Sequence, residues 1–531
     1  MSSQSCHFTV VEATIPEMQR AMQGKKITSR ELVRQSLGRI EKYGRSLNAV
    51  ITINPRALEQ ADALDRERAS GHVRGPLHGI PIAVKDNIQT VDMPTTGGAL
   101  AFKGFVPPYE ATLVKNLRDT GAVIIAKTSM TELANWVASG MPNNYNAIAG
   151  YGLNPYDPRR DPRPGTDDGR PALNTGGSSS GAGTAASFWA ANVGTETSGS
   201  ILSPANQNML AAIKPTVGRI SRYGVIPITA DQDTPGPMAR TVTDAAILLG
   251  VLEGSVDPND AATRMCAKVP GNDYSKFLDS QALKGARIGI PRASFYEGMD
   301  AERVLMEEAI STLKQHGAIV VDPADLPSVI EMDPEKSFLR WEICGGYQSA
   351  KGRDQECSVV LKYGMKRDFN AWLASLGGGA PVKSLTALRE WNLAHAAEGT
   401  IKYGQAQLDI SDEMDVDADR ARYEADRAKD IRLAGAEGID AAMSRDQLDA
   451  LLFPSVAGYN IAARAGYPTV MVPFGFIPNA PTPPFPDGFA ARPSPFGISF
   501  TGTACSEPRL LAIAYAFEQA TKRRVPPSLF P

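Results

Sequence analysis

Residues 174–200 read NTGGSSSGAGTAASFWAANVGTETSGS, two serine-glycine turns separated by an alanine-rich segment. Gly176 and Gly177 permit a tight turn, and Ser178, Ser179 and Ser180 place hydroxyls in it. Residues 182–193 have the small, apolar content of a buried helix. The second turn, residues 194–200, follows directly. A turn of this composition aims several backbone N–H groups at one point, which suits a developing oxyanion, and delivers Ser200 there. A flexible glycine-serine linker would stay polar, whereas Phe188 and Trp189 call for packing inside a domain. No lysine follows the glycines in G-K-[ST] order, which argues against a phosphate loop.

The chain around this stretch is long enough, at 531 residues with 43% hydrophobic content, to bury a large core. A net charge of −3 offers no basic field for nucleic acid or an anionic membrane, so the expected partner is a small-molecule or peptide substrate. Five cysteines, Cys6, Cys266, Cys344, Cys357 and Cys505, are scattered and odd in number. That pattern indicates neither a disulfide framework nor a zinc site, and it suggests a reducing compartment. The N-terminus lacks the basic start and apolar run of a signal peptide, and no stretch reaches membrane-spanning length. The expected location is therefore the cytoplasm, with no membrane association.

Along the chain, Thr28-Ser29-Arg30-Glu31 is a capping-box pattern that predicts a helix over about residues 28–44, and a charged helix follows near 55–68. Residues 80–84 read as an apolar strand ending at Lys85. Residues 113–117 and 122–126 read as a helix and a buried strand joined at Gly121. Residues 225–228 and 245–252 continue this α/β alternation. Residues 287–290, 301–315 and 318–321 form a strand-helix-strand unit with Asp300 as N-cap. Residues 154–173 are a long polar loop with five prolines, placed beside the serine turns. Residues 330–445 are more charged and mostly helical, and the run 412–432 reads as a solvated helix face. Core composition returns at residue 451, with a strand at 470–472, a proline-rich loop at 478–495 and a closing helix at 510–519. With no repeat and no linker, one domain over residues 1–531 is expected. It divides into an N-terminal helical region (about 1–70), a core (about 75–325 and 450–525) and a variable helical region (about 330–445).

The serine-rich stretch resembles the amidase signature family of serine hydrolases. The resemblance is carried by Gly176-Gly177-Ser178-Ser179-Ser180-Gly181, by Gly194-Thr195-Glu196-Thr197-Ser198-Gly199-Ser200-Ile201, by Pro204-Ala205 and by Lys214-Pro215-Thr216. It extends upstream to Gly79-Ile80-Pro81-Ile82-Ala83-Val84-Lys85-Asp86 and downstream to Asp233-Thr234-Pro235-Gly236-Pro237-Met238-Ala239-Arg240. Within the family, the Thr-Glu-Thr wording and the run from Gln232 to Pro237 look most like peptide amidases. The resemblance implies an α/β fold with a large central mixed sheet surrounded by helices, and hydrolysis of carboxamides without metal or organic cofactor. It also implies a triad of Ser200 as nucleophile, Ser178 as a bridge held by a cis peptide, and a neutral Lys85 as base. The backbone N–H groups of Thr197, Ser198 and Gly199 would then form the oxyanion hole. The interval of 22 positions from Ser178 to Ser200 is slightly short for the family. This predicts a shortened helix near residues 188–191, with Ser179 as the alternative bridge.

Competing readings have weaker support in the residues. Gly177-Ser178-Ser179-Ser180-Gly181 satisfies the G-x-S-x-G elbow, with Ser179 as nucleophile and His316 or His395 as base, but residues 171–175 make a poor preceding strand. Ser311-Thr312-Leu313-Lys314 matches S-x-x-K, yet its companion motifs are missing. None of His7, His72, His78, His316 and His395 sits in a setting that suggests a base, which favours a lysine. Two functional alternatives stay open: an aryl-amide or ester hydrolase of the same family, and an amidase-like subunit of a tRNA-dependent transamidase.

Overall fold

The apolar runs near residues 80–84 and 122–126 become adjacent parallel strands, and a large sheet extends from them to both sides. The computed structural model describes residues 8–177 and 179–531, with the backbone alone at Ser179 and Ser180. In chain order the sheet strands are β1 (Val50–Ile53), β2 (Pro81–Lys85), β3 (Val123–Thr128), β4 (Ala191–Glu196), β5 (Ala211–Lys214) and β6 (Thr234–Ala239). They are followed by β7 (Arg287–Gly289), β8 (Ile319–Val321), β9 (Ala450–Pro454), β10 (Thr469–Ile477) and β11 (Ser494–Thr501). Their order across the eleven-stranded sheet is β1-β3-β2-β4-β6-β5-β10-β11-β9-β7-β8. β2 runs parallel to both β3 and β4. From β4 through β6, β5, β10 and β11 to β9 every pairing is antiparallel, and β9, β7 and β8 pair in parallel. This is the mixed α/β sheet the sequence resemblance implies.

Both faces of the centre are covered. Every residue of β2 and β3 is buried, as continuous apolar runs require. The pleat sends Ile82, Val84 and Ile124 into the core shared with the helices Val242–Glu253 and Glu507–Thr521. Ala83, Val123 and Ile125 point to the other side, against the helices Ser29–Leu47 and Ala57–Ala69 and against Phe188 and Trp189. The Ser29–Leu47 helix starts at Thr28, whose Oγ1 accepts the Glu31 N–H at 3.1 Å. The strand-helix-strand unit is β7, the helix Asp300–Gln315 and β8; the cap position is Met299, and Asp300 is the first helical residue.

Several expectations are corrected. Residues 182–193 do not form one helix: the Ser179–Ala185 helix ends early, the chain reverses, and residues 191–196 become β4 at the middle of the sheet. The reversal is built on Trp189, whose indole lies on Gly183 and donates from Nε1 to Thr184 Oγ1 at 2.7 Å. Buried Arg240 donates to the carbonyls of Thr184 (3.0 Å) and Trp189 (2.9 Å), tying the reversal to the end of β6. Residues 188–191 are therefore turn and strand, and small residues such as Ala and Gly carry no periodicity that separates these from helix. β11 begins at the end of the expected 478–495 loop and runs on where no element was expected, because its Pro495 and Gly497 mask a strand flanked on both sides by partners.

The charged run at 412–432 is only partly solvated. On its helix, Arg420–Ile431, Asp430 is buried, accepting hydrogen bonds from Trp341 Nε1 (2.9 Å) and Ser358 Oγ (2.8 Å) beside Arg464. The cysteine expectation also fails: Cys266 pairs with Cys505, and Cys344 with Cys357, each as a disulfide. Their sequence separations of 239 and 13 give no local pattern to read, and the inference to a reducing compartment loses its premise. Cys6 lies outside the described residues. The polar loop 154–173 is pinned by three carboxylates, each paired with the arginine two residues on: Asp157–Arg159, Asp161–Arg163 and Asp168–Arg170.

Because Trp189 fills the reversal between helix and central strand, Trp189→Ala is expected to destabilise the fold by about 3–5 kcal/mol. Urea unfolding measures this, and a loss below about 1 kcal/mol would show that the reversal does not depend on the indole.

Candidate active site

Lys85 is the last residue of β2, and parallel pairing places it beside the end of β4. Its side chain is fully buried, and Nζ donates to Thr195 O and Thr195 Oγ1, both at 3.1 Å. Asn87 Nδ2 donates to the same hydroxyl at 3.0 Å. Burial pushes the Lys85 ammonium down to about 8, opposed by the carboxyl groups of Glu196 and Asp233. At that value a substantial fraction of Lys85 is neutral in mildly alkaline solution.

Past β4 the chain turns through Thr197, Ser198 and Gly199 to Ser200 and enters the Leu202–Gln207 helix. Gly199 has φ +89°, a conformation that favours glycine. The turn is held from beneath by buried Glu196, whose Oε2 accepts the N–H groups of Ile201 (2.8 Å) and Leu202 (3.0 Å). From the side, Thr197 Oγ1 donates to Asp233 Oδ1 at 2.5 Å, and Gln232 Nε2 donates to Thr197 O at 3.1 Å. Among the described residues, none accepts a hydrogen bond from the N–H groups of Thr197, Ser198 or Gly199.

The first serine turn is brought against the second. A Cβ built on Gly177 would lie 3.3 Å from Ser200 Oγ, so the backbone of Gly177 faces the Ser200 hydroxyl. Gly176, at φ +72°, passes so close to the Leu202–Gln207 helix that a Cβ there would sit 2.3 Å from Pro204 N. Asn208 Nδ2 clamps the two segments by donating to Thr175 O (3.1 Å) and Pro204 O (2.7 Å). Thr131 Oγ1 donates to Gly177 O at 3.2 Å. Thr131 opens a strained segment in which Leu133, Ala134 and Asn135 all have positive φ (42°, 58° and 72°). Three successive left-handed residues cost roughly 1–2 kcal/mol each, a strain that surrounding structure must hold in place. Ser178 lies outside the described residues, and so does the cis peptide expected to hold it.

The structure thus joins Lys85, Thr195, Thr197 and Asp233 in one hydrogen-bonded and electrostatic neighbourhood and sets Ser200 against Gly177. Sequence reasoning passes over Thr195, Glu196, Asp233, Asn87 and Thr131 as individual site residues. Glu196 lies between two threonines and Asp233 follows Asp231 and Gln232, polar surroundings that signal neither burial nor role. The described histidines stay out of the site. His78 is buried with Nε2 on Leu64 O (2.9 Å), and His395 stacks on Trp391 at 3.9 Å. Among the described residues no strand leads directly into the Ser179–Ala185 helix, as a nucleophile elbow requires, and Ser311 and Lys314 are exposed on the Asp300–Gln315 helix.

A family profile described as Amidase matches residues 31–511. The chain belongs to the amidase family. It is an amide-hydrolysing enzyme. Its sequence is 35% identical to a probable amidase of Arabidopsis thaliana over 98% of this chain and 93% of the relative. The crystal structure of native peptide amidase from Stenotrophomonas maltophilia superposes with a TM-score of 0.82 at 37% identity, covering 97% of this chain and 98% of that one. A glutamyl-tRNA(Gln) amidotransferase subunit of Thermosynechococcus vestitus is 31% identical, covering 96% of this chain and 98% of the relative.

Gly176→Ala introduces both a forbidden backbone conformation and a steric overlap with Pro204, so this amidase should lose more than about 1 kcal/mol of stability and lose activity steeply. Unfolding and amide turnover measured side by side test this; wild-type values for both would show that the close approach to Pro204 is not needed.

Proposed function

We propose that this amidase hydrolyses carboxamides by acyl transfer to Ser200, with Lys85 as a neutral base and Ser178 as the bridge between them. The observation that carries this reading is the buried Lys85 amine, held 3.1 Å from Thr195 at the strand end that leads into Ser200. Two other buried lysines are pushed down to about 8: Lys127 is engaged elsewhere, whereas Lys214 Nζ has no hydrogen-bond partner among the described residues, Thr195 included. Lys127 donates to Thr95 Oγ1 (2.7 Å) and lies 3.5 Å from Asp86, and Lys214 faces Glu196 and Glu507 from β5.

In this scheme Ser200 Oγ attacks the amide carbonyl carbon while its proton passes to Ser178, whose own proton passes to Lys85 Nζ. The carbonyl oxygen becomes an oxyanion facing the N–H groups of Thr197, Ser198 and Gly199, fixed by the Glu196 and Asp233 braces. Collapse breaks the C–N bond as Ser178 protonates the leaving nitrogen and recovers a proton from Lys85. The products are an acyl-Ser200 ester and ammonia or an amine. Water repeats the cycle on the ester, releasing the acid and leaving Lys85 neutral. No cofactor takes part. The substrate we infer is a carboxamide with an apolar acyl part, such as a peptide C-terminal amide. Support comes from the 37% identity to the peptide amidase of Stenotrophomonas maltophilia and the wording around Thr195 and Gln232.

Ser200→Ala should reduce amide turnover by on the order of 10⁴-fold or more while leaving the unfolding curve in place. Covalent labelling of that variant by a serine-directed sulfonyl fluoride would overturn the assignment. Turnover should rise with pH through an ionisation near 8, and Lys85→Met should remove both that ionisation and nearly all activity. Arginine at position 85 should not rescue, since it stays charged. Ammonia release by the isolated protein from peptide amides, anilides and short aliphatic amides tests the substrate class. Release only with a partner protein present would favour the transamidase reading.

A further inference from the structure

Next to the Lys85 neighbourhood the structure holds two cavities that share a wall. The inner one, about 10 Å³ and so roomy enough for the centre of a single water, is lined by Asn87, Thr195, Thr197 and Asp233. The outer one, about 370 Å³, opens between Tyr223, Asp260, Asp368 and Trp372. Arg222, Val225 and Asp233 line both. Asp233 therefore stands between the lysine's surroundings and an opening toward solvent. Hydrogen bonds to both carboxyl oxygens fix it there: Thr197 Oγ1 donates to Oδ1 at 2.5 Å, and the N–H groups of Ile228 (2.8 Å) and Thr229 (3.0 Å) donate to Oδ2. Facing it are Arg222, whose guanidinium is itself paired with Asp260, and Asp368 from the Val360–Ser375 helix.

Resting on the reading of Lys85 as base, we propose that Asp233, which shares the inner cavity with the Thr195 that holds Lys85, is a positioning residue that sets the charge state of that lysine. Through Thr197 it also holds the oxyanion turn. The charges acting on Lys85 are those of Glu196 and Asp233. Glu196 is committed to the N–H groups of Ile201 and Leu202, whereas Asp233, though buried, also borders the outer cavity. Burial lifts Asp233 to about 7, opposed by the Thr197 and Ile228 hydrogen bonds, and Asp368 lifts it further while Arg222 lowers it. As pH rises Asp233 becomes negative first and then resists loss of the Lys85 proton, so the two groups titrate as a coupled pair.

Opposite shifts follow for two variants. Asp233→Asn removes a negative charge that favours protonated Lys85, so the rising limb of kcat/KM should move toward acid. Its plateau should fall by on the order of tenfold through the loosened Thr197 contact. Asp368→Asn leaves every Asp233 hydrogen bond in place. It lets Asp233 ionise at lower pH, which keeps Lys85 charged longer and moves the limb toward alkali at an unchanged plateau. The pH dependence of sulfonyl fluoride labelling at Ser200 should follow both shifts without reference to any substrate. If Lys85→Met retains the ionisation, the base assignment itself fails. If that variant loses the ionisation but neither aspartate variant moves it, the role of Asp233 is overturned while the base assignment stands. Should Asp233→Asn not fold, Asp368→Asn alone decides.

Discussion

Desolvation of one amine at the end of a central strand is the constraint to which the rest of the site answers. A lysine carried on a polar surface would stay charged and serve no base chemistry, whereas at the end of β2 every flank is protein. Parallel neighbours β3 and β4 cover its edges, and helices cover both faces of the sheet. The charged form is then disfavoured by burial and restored in part by Glu196 and Asp233, and the balance leaves the amine able to change charge near neutrality. Neither carboxyl group forms an ion pair with Lys85, which is held instead by Thr195. Lys127 shows the contrast: set against Asp86 at 3.5 Å, it is a structural pair rather than a free base.

The same carboxyl groups do mechanical work. Glu196 caps the start of the Leu202–Gln207 helix through two N–H groups, and Asp233 holds Thr197 and the 228–229 backbone. The turn carrying Ser200 is thus braced from both ends by acids that also act on Lys85. Opposite it, Gly176 and Gly177 allow the first serine turn to approach at backbone distance, and Thr131 anchors it from the left-handed segment at Leu133 to Asn135. Strain stored in that segment is consistent with a position held by packing rather than by local preference.

How much of this is legible in the sequence depends on whether the information is local. Lys85 and Ser200 stand out because their flanking runs are distinctive over eight residues each, and β2 and β3 stand out because a fully buried strand leaves an unbroken apolar run. β4 does not, since Ala191, Val193 and Gly194 are small enough to suit a helix, and only Trp189 folding back on Gly183 settles the matter. Asp233 lies 148 positions from Lys85, and no spacing rule links them; sheet order alone brings β6 next to β4. The two disulfides are hidden for the same reason, their partners being joined by tertiary structure across 239 and 13 positions.

Titration of the Lys85 amine itself is the most direct test, using lysine labelled with ¹³C at Cε and followed by NMR as a function of pH. Three lysines, Lys85, Lys127 and Lys214, should titrate near 8, well below the ordinary range, and Lys85→Met should delete one of these signals and leave the other two. If the signal deleted by Lys85→Met instead titrates near the ordinary lysine value of about 10.4, the amine is charged under working conditions and cannot be the base.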